Sequence, residues 1–157
     1  MQVDEWGSHL WIPLHCMTFN TPIILSNTDK KEYISFFTKL GNFLPCSFCR
    51  NSYIYFCKKL KPKYFFNDQH GITYWLYCIH NLVNIKLGKK QIPYKDVVIM
   101  YEKKRASYKN SLCYKNDKLD YNLVDIYVKK SLDKYHDMAD KIMNKIINKG
   151  KKSDWKF

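Results

Sequence analysis

The sequence predicts an all-α fold, and three observations predict it. Glycine and proline number only 5 each in 157 residues, too few for the many reversals of an all-β chain. Apolar residues recur at three- and four-residue spacing over most of the chain, and strand-like alternation is scarce. Aromatic residues make up 17% of the chain, with 13 Tyr and 9 Phe, which gives the chain a core to bury and rules out a disordered polymer.

The elements follow in order. Residues 4–20 carry Trp6, Leu10, Trp11, Leu14 and Cys16 at helical spacing, with Pro13 either kinking that helix or marking its first turn. The clearest helix covers 28–44. There Asp29 and Glu32 stand at capping-box spacing, and Tyr33, Phe36, Phe37, Leu40 and Phe43 form an apolar stripe. A third helix opens at Pro45-Cys46 and runs to about Leu60, burying Phe48, Phe56 and Leu60 together with Tyr53 or Ile54. Lys61-Pro62-Lys63 breaks the pattern, and 61–70 reads as a loop whose Tyr64, Phe65 and Phe66 are apolar enough to pack down. A fourth helix spans 71–88 with Gly88 as its C′ residue. Pro93 fits the first position of a short fifth helix to about Arg105. Residues 106–119 are polar and read as a loop. A long helical pattern then covers 120–148 through Val124, Tyr127 or Val128, Leu132, Tyr135, Ala139, Ile142 or Met143, and Ile146. Gly150 is expected to end it, with a frayed tail over 151–157.

The formal net charge is +13. Such a charge attracts nucleic acid, anionic membrane or acidic partners, but solvated lysines on a lysine-rich chain are the simpler account. No specific nucleic-acid partner is expected. No apolar run reaches the roughly 18 residues of a membrane span. The opening Met-Gln-Val-Asp-Glu-Trp does not read as a signal peptide, so the chain is expected in the cytoplasm.

Six cysteines outside a secretory context point to redox chemistry or metal more than to a disulfide framework. Only Cys46 and Cys49, in Pro45-Cys46-Ser47-Phe48-Cys49, form a CxxC. That spacing puts both sulfurs on one face of a helix. At a helix N-terminus the dipole and free N–H groups favour thiolate, which suits thiol–disulfide exchange. A zinc knuckle or two buried thiols also fit this motif taken alone. Two other pairs share helical faces. Trp11 and His15 are four apart and can stack on an aromatic ring system; His80 and Asn84 are four apart and need partners if buried. Core packing or an internal polar bond accounts for either pair singly.

The three motifs in sequence, Trp6-Gly7-(three residues)-Trp11 continuing to Leu14-His15, then PCxxC, then His80-Asn81-Leu82-Val83-Asn84-Ile85-Lys86-Leu87-Gly88-Lys89, resemble the Erv/ALR sulfhydryl oxidases. The resemblance runs from about Trp6 to Tyr101, and the compact form is similar to the sulfhydryl oxidases of large DNA viruses. It implies a bundle of four helices with a short fifth, holding FAD as a homodimer. By resemblance, residues 1–105 would be the FAD-binding oxidase domain and 106–157 a basic helical extension. The catalytic pair would be Cys46, which exchanges with substrate, and Cys49, which lies beside the flavin. Gly7, Trp11, His15, Cys49, His80, Asn81, Val83, Asn84 and Tyr101 would contact the cofactor, and Lys86 and Lys89 match basic positions near its phosphates. No metal ligand is expected.

Departures from the family pattern are visible too. Family members often carry a structural disulfide at the positions held here by Tyr77 and Tyr94, so that bond is expected to be absent. No second CxxC or CxC offers a shuttle pair, so a protein dithiol, or a separate redox shuttle protein, would reach Cys46, with oxygen as the electron acceptor and hydrogen peroxide as product. A viral member would work in the host cytoplasm or virion; the mitochondrial intermembrane space is the alternative. The competing functions are a zinc module recruiting Cys46, Cys49, Cys57, Cys78 or His70, and a thioredoxin-like CxxC protein, which needs alternating strands and helices.

Overall fold

In a computed structural model, residues 3–149 are described, and they form six α-helices: α1 (Val3–Phe19), α2 (Asn27–Leu40), α3 (Ser47–Lys59), α4 (Gln69–Lys86), α5 (Tyr94–Glu102) and α6 (Tyr121–Lys149). The expected stop at Gly150 and the tail after it lie outside the described residues. No described helix is long and apolar enough to cross a membrane.

Local chemistry sets most boundaries. The capping box of α2 is Ser26 with Asp29: the serine hydroxyl accepts from Asp29 N–H at 3.1 Å, and the carboxylate accepts from Ser26 N–H at 2.9 Å. It therefore sits three residues earlier than the Asp29/Glu32 pair the spacing offered. Ser26 is already extended, as an N-cap must be, while Asp29 lies within the first turn. Cys46 caps α3 and Asp68 caps α4, the latter accepting from Gly71 N–H at 2.8 Å. Gly88 follows α4 at φ 67°, the left-handed C′ position its sequence place predicted. Pro93 is the N-cap of α5 and not its first residue. Residues 106–119 are more than a loop. Tyr114–Lys115 pairs with Lys118–Leu119 in a small antiparallel hairpin, turned by Asn116 and Asp117 at φ 51° and 57°.

The core centres on Trp75 of α4, fully buried, with its Nε1–H donating to Leu60 O at 2.7 Å. Phe37 and Phe66 meet its ring edge-on at centroid distances of 5.4 and 5.1 Å. Such edge-to-face contacts suit aromatic quadrupoles and fix the approach of α2 to α4.

Helix α6 lies against α4 and α5 and buries Val124, Tyr127, Tyr135, Ala139 and Ile146 of the stripe its periodicity predicted, with Ser131 buried beside a half-buried Leu132. The seam is polar at its centre. Thr73 Oγ1 lies 2.9 Å from both Tyr94 OH and Tyr127 OH, and Ser131 Oγ donates to Tyr127 O at 3.0 Å. Gly71 lets the chain approach closely here: a Cβ would stand 1.8 Å from Phe65 O and 2.7 Å from the Tyr135 ring. At the end of α5, buried Glu102 accepts from Arg105 Nε at 2.6 Å and Ser111 Oγ at 2.6 Å, and Arg105 also donates to Phe19 O. That cluster joins α1, α5 and the segment leading to the hairpin. Tyr77 and Tyr94 pack ring against ring at 5.0 Å.

Candidate functional site

One cleft gathers the paired faces that the sequence singled out. His15 of α1, His80, Asn81 and Asn84 of α4 and Tyr101 of α5 line it, and Trp11 of α1 stacks on His80 beside them. The Trp11 and His80 rings stack at 4.0 Å with planes 7° apart, and His15 stacks on Tyr101 at 4.6 Å. His15 Nε2 and His80 Nδ1 share a hydrogen bond of 3.1 Å across 65 residues of sequence. Tyr77, Ile92, Val97 and Met100 complete the lining, beside His15, His80, Asn81, Asn84 and Tyr101. Ile92, Val97 and Met100 are absent from the sequence reading of the site; only the three- and four-residue spacing of Val97, Met100 and Tyr101 along α5 hinted at the last two.

Burial sets the electrostatics. It pulls the His15 pKa from 6.5 to about 3, with the charge of His80 adding to the effect. Burial likewise lowers His80 to about 4, assisted by Lys89. Both rings are neutral at neutral pH, so each offers one N–H and one lone pair. His15 Nδ1 is buried without a partner, as is Trp6 Nε1 on the same helix. An unpaired buried nitrogen is costly unless something polar meets it. A cleft with stacked aromatic rings, side-chain amides and an unsatisfied imidazole nitrogen fits a nucleotide cofactor such as FAD.

The CxxC opens α3. Cys46 Sγ accepts from Cys49 N–H at 3.2 Å, the bond of a cysteine acting as N-cap. Burial opposes the Cys46 thiolate, but hydrogen bonds from Cys49 and Phe48 and the charge of Lys86 outweigh it, and its pKa falls below the usual thiol value. Cys49 goes the other way, pushed up to about 12 by burial and by the neighbouring Cys46. Of the two, Cys46 is therefore the first to give up its proton. All six cysteines are free thiols; Cys57, Cys78 and Cys113 are buried, and Cys16 is half-buried.

The remaining candidates separate. Lys89 is exposed at the cleft end of α4, close enough for its charge to act on His80. Lys86 instead donates to Ser52 Oγ on α3, beside the CxxC. Ser52 was missed in the sequence, although its position three residues after Cys49 places it on the cysteine face. Gly7 is half-buried one turn before Trp11, and Val83 packs half-buried against the core. Among the described residues no three His, Cys, Asp or Glu side chains gather in a group able to hold a metal ion. The strands of a thioredoxin-like sheet are not found there either, the two short strands pairing only with each other.

Known proteins resemble this chain in sequence and in fold. The model of the Erv1 / Alr family matches residues 8–104. A "Probable FAD-linked sulfhydryl oxidase" of Acanthamoeba polyphaga mimivirus is 30% identical over 114 residues, covering 69% of this chain and 80% of that protein. An FAD-linked sulfhydryl oxidase of African swine fever virus is 30% identical over 102 residues, 62% of this chain and 81% of the relative. Among solved structures, the yeast Erv1 core superposes with a TM-score of 0.61 at 20% identity, covering 65% of this chain and 85% of that one. The FAD-binding domain of Erv1 from Saccharomyces cerevisiae gives 0.62 at 21% identity, covering 66% and 96%. Sequence and fold agree, and the chain belongs to the Erv1/Alr family.

Proposed function

We propose that this chain is an FAD-dependent sulfhydryl oxidase that converts protein dithiols to disulfides. The observation that carries the proposal is an intact PCxxC at the start of α3 in a chain of this family. Its relatives' names as FAD-linked sulfhydryl oxidases support the cofactor.

In the reaction proposed, a substrate thiolate attacks Cys46 of the Cys46–Cys49 disulfide. A substrate–Cys46 disulfide forms, the Cys46–Cys49 bond breaks, and Cys49 leaves as thiolate. A second substrate thiolate attacks the bound substrate sulfur and releases Cys46 with both electrons of the new dithiol left on the protein. Cys46 suits the outer role because its thiolate is stabilised, which makes it a good leaving group. When Cys46 is engaged in the mixed disulfide its charge is gone, and the repulsion that raises Cys49 is relieved. FAD, when bound, would supply a two-electron acceptor for this electron pair, with oxygen as the terminal acceptor and hydrogen peroxide as the product. Trp11, His15, His80, Asn81, Asn84 and Tyr101 would hold it, with Gly7, Val83 and Lys89 as further contacts. Stacking on a flavin nucleotide would replace ring–ring contacts the cleft already makes.

Buried Cys113 is not placed to act as a shuttle, so the protein dithiol, or a separate redox protein, meets Cys46 directly. Exposed Ile12, Phe36 and Phe43 offer apolar surface for a second copy, in keeping with a homodimer. The viral relatives favour the host cytoplasm or the virion as its place of work, with the mitochondrial intermembrane space as the alternative. Residues 1–105 carry the oxidase machinery in this reading, and residues 106–157 serve as an extension. The visible spectrum of the purified chain, with oxygen uptake on adding a dithiol, tests the proposal. A yellow protein that consumes oxygen is expected; a colourless one that FAD cannot restore would contradict it.

A further inference from the structure

The cleft residues of α4, namely Tyr77, His80, Asn81 and Asn84, lie on one side of the helix. Lys86 comes two residues after Asn84, about 200° further round the helix, and turns away from them. Its Nζ crosses to α3 and donates to Ser52 Oγ. The serine spends its own proton on Phe48 O at 2.6 Å, so its oxygen is free to accept from the ammonium. Ser52 is buried and follows Cys49 by three residues, as Cys49 follows Cys46, so all three line one face of α3. A half-buried lysine is thereby fixed to the cysteine face.

We propose that Lys86 is a positioning charge for the redox pair, holding negative charge on whichever of Cys46 and Cys49 is released during exchange, and that it does not serve the cofactor's phosphates. The inference rests on the thiol-oxidase reading. Both steps of the exchange end in a new thiolate at the start of α3: Cys49 when substrate bonds to Cys46, then Cys46 when the second substrate sulfur takes its place. A fixed cation beside the two sulfurs stabilises each product without itself changing protonation. The electrostatics agree. Lys86 favours the thiolate at both cysteines, and although burial works against the ammonium, negative charge on Cys49 and Cys46 supports it. The other charged groups around the pair are directed elsewhere. Arg50, on the same helix, donates to Leu44 O at 2.8 Å. Glu5 and His9 of α1 line a groove on the Pro45 side together with Leu10 and Phe43.

The test is the pH dependence of Cys46 alkylation by iodoacetamide in the reduced, FAD-loaded chain, with the modified cysteine located by mass spectrometry. Lys86→Gln should move the midpoint up by roughly one pH unit, slowing alkylation at neutral pH on the order of tenfold. Lys86→Arg should restore most of the rate. FAD retention should stay within about twofold of the parent, because the lysine faces away from the cleft. An unmoved midpoint with weakened FAD binding would assign Lys86 to the nucleotide and overturn the proposal. If Lys86→Gln fails to fold, Ser52→Ala is read in its place: an upward shift supports the proposal and an unmoved midpoint refutes it. Alkylation needs neither flavin turnover nor oxygen, so a chain that proves not to be an oxidase would fail the spectrum and leave this profile to be judged separately.

Discussion

Helix α4 carries two polar clusters of opposite character, one in each half. In the first half, His70 and Thr73 meet Tyr94, Tyr127 and Ser131, and the hydroxyls satisfy one another within the protein. In the second half, His80 meets His15 and Trp11, and a buried imidazole nitrogen is left without a partner. Both clusters put polar side chains on buried helix faces. Closure within the cluster is the difference: the hydroxyls of the first pair with one another, whereas His15 Nδ1 in the second is unpaired and faces a cleft; Gln69 Oε1, at the start of α4, is also unpaired but lies outside both clusters. The same contrast separates the two sides of the chain, with α6 bonded to the closed cluster and α1 to the open one.

Several substitutions bear on this contrast. The largest effect belongs to the redox pair. Cys46→Ser and Cys49→Ser should each cut dithiol-driven oxygen uptake on the order of a thousandfold or more, since the two act as one unit. Full turnover by either variant, measured with an oxygen electrode, would remove the assignment. Next comes the extension. Every cleft and cysteine contact named above is made by residues before 106, so a chain ending at Arg105 should keep flavin while losing thermal stability and solubility, since Thr73 and Tyr94 lose their cover. Flavin lost from that truncation would make residues 106–157 part of the binding domain.

A smaller effect compares the two clusters directly. Tyr127→Phe removes a hydroxyl bonded within 2.9 Å of Thr73, and should cost about 1 to 2 kcal/mol of stability with flavin content unchanged. His15→Phe should do the reverse, lowering flavin content while leaving the melting temperature of the flavin-free chain nearly intact. Parallel melts and flavin assays on the two variants would expose any crossover. A separate effect is in pH. His15 and His80 titrate at about 3 and about 4 in the folded chain, below the ordinary 6.5. The unfolded chain therefore takes up protons that the folded one refuses, so stability from these groups is present above pH 6.5 and is lost as pH falls toward 4 and 3. A denaturant midpoint that holds constant from neutral pH down into that window would argue against two neutral buried imidazoles.

The helices were legible in the sequence because of their helical period, most fully in α6, where Val124, Tyr127, Tyr135 and Ala139 are buried; over residues 28–44 and in α3 the period marked the helix but not its buried face, since Phe36, Phe43 and Phe48 are exposed. The hairpin was not: its strands have two residues each, too short for alternation to register, and Asn116-Asp117 makes the left-handed turn without a glycine. Ser26 was hidden by Asp29, which fits either end of a capping box. At the site, the CxxC and the spaced pairs Trp11/His15 and His80/Asn84 were readable because four-residue spacing fixes a shared face. That His15 and His80 would bond each other was not, since nothing local relates residues 65 apart. The direction of Lys86 depended on how α3 and α4 dock, which no motif encodes.

The flavin content of the purified full-length chain tests the central claim most directly. The account predicts a yellow protein that releases an equimolar amount of FAD on acid precipitation, with Trp11→Ala and His15→Phe releasing much less. Full flavin content in both variants would show that the α1–α4–α5 cleft is not where the cofactor sits, and a colourless parent that FAD cannot reconstitute would contradict the account as a whole.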